Sequence, residues 1–134
     1  MNARNTWNDL GLLIIRIGFS AAMLTHGWPK LMKLIEQKNP RFPDPLGIGD
    51  YPSLILAVVG EVVAPVLLIM GLKTRLSAIP AVATMVVALF VVHGGDPFKK
   101  QELALLYLLG FSALLLTGGG RYSVDGMLKA RKKR

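Results

Sequence analysis

Four apolar stretches, Leu10–Met32, Ser53–Leu72, Leu76–His93 and Glu102–Gly120, constrain this chain more than any other feature. Each has about the 17–25 residues a helix needs to span the hydrocarbon core of a bilayer. The blocks hold very few charges, although the chain carries a net charge of +8 and is 52% apolar. A soluble domain would spread those charges along every helix. In hydrocarbon, backbone N–H and C=O groups must be satisfied within the segment, which a helix achieves. The expected fold is all-α: four transmembrane helices in an antiparallel bundle, forming a single membrane domain over residues 1–134. The fourth stretch has the shortest continuous core, Leu103–Thr117. The first reads as a retained helix and not a cleaved leader, because only Arg4 precedes Asp9 and Arg16 interrupts the apolar run.

The connections set the threading. Lys73-Thr74-Arg75 is too short for anything but an antiparallel helix pair. The segment 33–52 is long and carries Pro40, Pro43, Pro45 and Pro52, which suits either an ordered lid over the bundle mouth or a disordered linker. Gly118-Gly119-Gly120 follows a helix, so it reads as a helix cap and turn, not as a phosphate cradle. Orientation follows from Lys and Arg. Arg4, Lys73, Arg75, Arg121, Lys129, Arg131, Lys132, Lys133 and Arg134 fall on one side. Lys30, Lys33, Lys38, Arg41, Lys99 and Lys100 fall on the other. Both termini are therefore expected in the cytoplasm. The same placement assigns the basic charge to membrane orientation and leaves no role for nucleic acid.

Inside a bilayer an ionisable group costs roughly 2.5–3.5 kcal/mol by insertion scales, so each one needs a reason. Glu61 is expected roughly 12 Å below the outer end of the second span, and Pro65 cannot supply the N–H its carbonyl would accept. Gly60 and Ala64 offer a close-packing face, as do Gly18 and Ala22 on the first span. Arg16 is expected to pair with Glu61. His26, His93 and Glu102 are expected at similar depth near the outer mouth, with Glu61 below and Lys30 above. That cluster suits a structural polar network, a site for a quinone head group, or a haem or metal site. Tyr107, inside the fourth span, could bond within the bundle or stack on a ligand. Trp7 and Trp28 bracket the first span as interface anchors. The chain has no cysteine, hence no disulfide, thiolate metal site or CxxC redox pair. Walker, GxSxG and HExxH motifs are absent.

Four elements in order carry a family likeness: Arg16-Ile17-Gly18 with His26-Gly27-Trp28-Pro29-Lys30-Leu31; Gly60-Glu61 with Gly71; Glu102-Leu103-Ala104-Leu105-Leu106-Tyr107; and Gly118-Gly119-Gly120-Arg121-Tyr122-Ser123-Val124-Asp125. From about Leu10 to Leu128 the chain resembles the DoxX family of small four-helix membrane proteins. Gly119 stands where that family's ending usually has proline. The resemblance implies a multi-pass protein of the bacterial inner membrane, and its charged positions fall on Arg16, His26, Glu61 and Glu102. It also implies a role as a membrane subunit of a quinone-linked oxidoreductase. On that reading Glu61, His26 and Glu102 relay protons, and Arg16, His26, Glu61, His93, Glu102 and Tyr107 line the quinone site, with no metal. The alternatives are a non-enzymatic scaffold or assembly factor, and a small solute or ion carrier. Small-residue faces lead to the expectation of a homo-oligomer or larger complex in the bilayer.

Overall fold

The computed structural model describes residues 3–133, and among these it contains helices and no strand. Arg134 and the side chain of Arg4, both counted in assigning orientation, lie outside what is described. Helix α1 runs Ala3–Glu36, α2 Asp50–Met70, α3 Thr74–Val92 and α4 Phe98–Thr117; these four are long and apolar enough to cross a membrane. A fifth helix, α5 (Val124–Lys132), follows the last span.

The ends differ from the sequence expectation in informative ways. Helix α1 continues through Pro29 to Glu36 instead of stopping near Met32. Proline inside a membrane helix is tolerated where neighbouring groups take up the freed backbone. The fourth span starts at Phe98 rather than Glu102 and ends at Thr117 rather than Gly120. Helix α2 is not uniformly α-helical: Val59–Val63 forms a π-helical turn, and the Ala64 N–H reaches back to the Val59 carbonyl. The proline argument anticipated a broken turn at this level, since Pro65 leaves the Glu61 carbonyl without its usual donor. A second π turn, Ala88–Val92, ends α3.

The core is a seam of Met23, Ala64, Leu68, Ala78, Ala81, Met85, Tyr107, Phe111 and Leu114, to which each span contributes. Helices α1 and α2 share the most extensive interface, followed by α3 and α4. Close approach depends on two glycines. A Cβ at Gly27 would collide with the Glu61 carbonyl, and one at Gly60 would collide with Thr84 Oγ1 and the Pro80 carbonyl. The π turn is therefore gripped between α1 and α3. The Gly60 face packs as expected. Gly18 does not: nothing lies within 4 Å of a Cβ built there, and Gly18 and Ala22 are exposed.

At one end of the bundle the start of α1, the α2–α3 turn and the segment after α4 meet. Asp9 accepts from the Arg121 N–H at 3.0 Å. Asp125 accepts from the Lys73 and Thr74 N–H groups at 2.8 and 2.7 Å and from the Thr74 hydroxyl at 2.9 Å. Burial pushes the Asp125 carboxyl up, but these donors outweigh it and hold the group below its ordinary range. Lys73 is thereby kept at φ 44°, a conformation L side chains rarely adopt. Both chain ends thus emerge on the same side of the bundle.

Candidate functional site

The opposite end holds the candidate site. Glu61 projects from the π turn of α2 and is 5% exposed. Its partner is Lys30, not Arg16: Lys30 Nζ lies 2.5 Å from both carboxylate oxygens. The reason is the continuation of α1 beyond Pro29, which carries Lys30 along the bundle to the level of Glu61. Arg16 sits about 15 Å lower than His26 on the same helix. Its two terminal nitrogens donate to the carbonyls of Gly119 (2.5 Å) and Tyr122 (2.6 Å). The expected Arg16–Glu61 ion pair is therefore replaced by two separate polar centres at opposite ends. Arg16 Nε and, one turn on, Ser20 Oγ are buried without a hydrogen-bond partner among the described residues.

Beside the Lys30–Glu61 pair lies a cavity of about 440 Å³. Leu56, Ala57 and Val59 of α2 wall one side; Ala83, Thr84, Val87, Ala88 and Val92 of α3 wall the other. Lys30, Glu61, Ser53 and His93 supply the polar lining. Phe42, Pro43, Pro45 and Leu46 close it, so the proline-rich connection is the lid and not a loose linker. Asp44 organises that lid by accepting from the Ile48 and Gly49 N–H groups (2.9 and 2.8 Å) and from Ser53 Oγ (2.9 Å). The Gly49 N–H first of all, and then Ser53 and Ile48, hold the Asp44 carboxyl below its ordinary range. Lys30 also faces the Phe42 ring, 5.9 Å from its centroid, tying the ion pair to the lid.

Of the residues expected near the mouth, Glu61 and His93 share this cavity. His93 Nδ1 pairs with Asp96 Oδ2 at 2.8 Å, and the same hydrogen bond holds the Asp96 carboxyl low. His26 and Tyr107 meet edge to face, with centroids 5.8 Å apart, and neither lines the cavity. Tyr107 is buried against Phe19 and Phe111, whereas His26 is exposed. Glu102 is exposed on α4 and also stands apart from the cavity. Arg16 belongs to the other end. No group of three or more His, Asp or Glu side chains among the described residues is arranged to hold a metal ion. Sequence reasoning did not pair Lys30 with Glu61; its signal was the i+4 spacing from His26 on an uninterrupted helix.

Comparison with known proteins gives a consistent result. The model of the DoxX family matches residues 11–94. Two uncharacterized proteins of Haemophilus influenzae are 31% and 30% identical, over 93% and 91% of this chain and 96% and 85% of theirs. The Escherichia coli inner membrane protein YqjF is 26% identical over 92% of this chain and 95% of its own length. No solved structure matches the chain.

Proposed function

The chain belongs to the DoxX family and is a multi-pass inner membrane protein; from that premise we propose that it is a membrane subunit of a quinone-linked redox system, with the cavity between α2 and α3 as the quinone head-group site. One observation carries this reading: a largely apolar cavity in a membrane-spanning bundle has in its wall a buried carboxylate, Glu61, paired with the half-buried Lys30. A volume of about 440 Å³ lies within the range of small-molecule pockets, which pair apolar walls with a few polar groups that fix orientation. A bound quinone would supply two-electron, two-proton chemistry, with the electrons coming from a partner subunit. The chain's own contribution is positional. Lys30 Nζ would donate to the ligand oxygen, Glu61 would hold a proton at its carboxylate, and the lid from Phe42 to Leu46 would exclude water. The proton relay first read from the sequence narrows to Glu61 with Lys30, since His26 and Glu102 lie outside the cavity.

A second reading, a small-solute carrier, draws support from the two π turns flanking the cavity, because interrupted membrane helices are a common way to build a transport site. Titration of the nanodisc-embedded full chain with a short-chain quinone, followed by native mass spectrometry, separates the two. Retained quinone is expected, with affinity falling about tenfold in Glu61→Gln, the loss of roughly one hydrogen bond. Equal retention by wild type and variant, or none by either, would overturn the quinone reading. Uptake of solutes into liposomes would then support the carrier.

A further inference from the structure

At the end opposite the cavity, the start of α3, the end of α4 and α5 enclose an open cleft of about 770 Å³. Lys73, Arg75, Arg121, Lys129 and Lys133 line it, and none of these cations forms an ion pair among the described residues. Asp125 is the one carboxylate in the lining, and both its oxygens are occupied by Lys73 and Thr74. Thr74, Arg75 and Leu76 bring the N-terminus of α3 to the cleft, adding the positive end of a 19-residue helix.

Helix α5 gives one wall of this cleft an amphipathic character. Val124, Met127 and Leu128 recur at i, i+3 and i+4 on one face, and Met127 and Leu128 are 59% and 49% exposed. The face bearing Asp125, Lys129 and Lys133 turns to the cleft. A basic helix with one bare apolar face lies in the plane of the membrane interface. Leu76, which lines the cleft, is 61% exposed, and Leu116, next to the lining residue Thr117, is 75% exposed, so bare apolar surface of α3 and α4 adjoins the cleft.

We propose that this cleft binds the phosphate of an anionic phospholipid head group. Phosphate is common to lipids and soluble phosphate esters. The interfacial helix and the bare leucines at the cleft edge select the lipid, because a soluble ester would use neither. The site is separate from the cavity and does not depend on what the cavity holds.

The test is native mass spectrometry of the full chain released from nanodiscs of phosphatidylcholine doped with phosphatidylglycerol. The variants are Arg75→Gln/Arg121→Gln, Lys129→Gln, and a control, Lys99→Gln/Lys100→Gln, which removes the same charge at the other end. At about 1 kcal/mol per basic side chain near an anionic surface, the cleft double variant is expected to bind phosphatidylglycerol roughly thirty-fold more weakly. Lys129→Gln is expected to lose about five-fold, and the control to match wild type. Equal retention by the cleft variants, or equal loss in the control, would overturn the proposal. A parallel titration with inorganic phosphate is expected to displace little lipid; phosphate binding as tight as the lipid would overturn the lipid assignment.

Discussion

At the scale of single residues, the fold depends on two buried charges satisfied in different ways. Glu61 has a charged partner in Lys30, whereas Arg16 is held by carbonyl oxygens alone. Removing one member of a buried pair strands the other, at a cost of about 3–5 kcal/mol, while replacing both with apolar groups is often close to neutral. Lys30→Met is therefore expected to destabilise the protein by about 3 kcal/mol, and Lys30→Met/Glu61→Leu by less than about 1 kcal/mol. Unfolding in mixed micelles measures both, and additive losses would show that the pair does not act as a unit. Glu61 was legible in the sequence because a carboxylate in an apolar stretch stands out. Its partner was not, because Pro29 looked like a terminus. The partners of Arg16 left no mark at all, since a backbone carbonyl is the same at every residue type.

At the scale of elements, the four spans were readable from apolar length alone, and the break near Glu61 from Pro65. Helix α5 went unread under its basic charges. Its signals were present in Ser123, whose side chain accepts from the Gly126 N–H as an N-cap, and in the Val124, Met127, Leu128 spacing. What docks α5 is Asp125, which caps the start of α3 from a distant part of the chain. Its carboxyl titrates below the unfolded value near 3.9, so its contribution is present above about pH 4 and is lost as pH falls through the lower folded value. Asp125→Asn is expected to cost about 1–2 kcal/mol at pH 7, discounted for partial solvent screening. The gap between wild type and variant should narrow and then close as pH falls below the unfolded value near 3.9 and through the lower folded one. Amide exchange of α5 in nanodiscs across that range would show it, and a gap independent of pH would remove the carboxylate from this role.

For the whole molecule, the contacts that gather Asp9, Arg121 and Asp125 put both chain ends at the basic end of the bundle, with the lid and cavity at the other. From the excess of Lys and Arg we propose that this basic end faces the cytoplasm. The chain has no cysteine, so single cysteines report topology without background. In spheroplasts, a membrane-impermeant maleimide is expected to label Lys38→Cys directly and Lys129→Cys only after lysis. The reverse pattern would invert the bundle and move the cavity to the cytoplasmic face. The π turn of α2 makes the length of this span matter as much as its composition. It stores one more residue than an α-helix of the same rise would hold, between a proline and two glycine contacts. Deleting Val63 would let the segment wind as ordinary helix while turning Glu61 by roughly 50° relative to Ala64–Met70. A chain one residue shorter could thus keep every span and every charge, yet lose the meeting of Glu61 with Lys30.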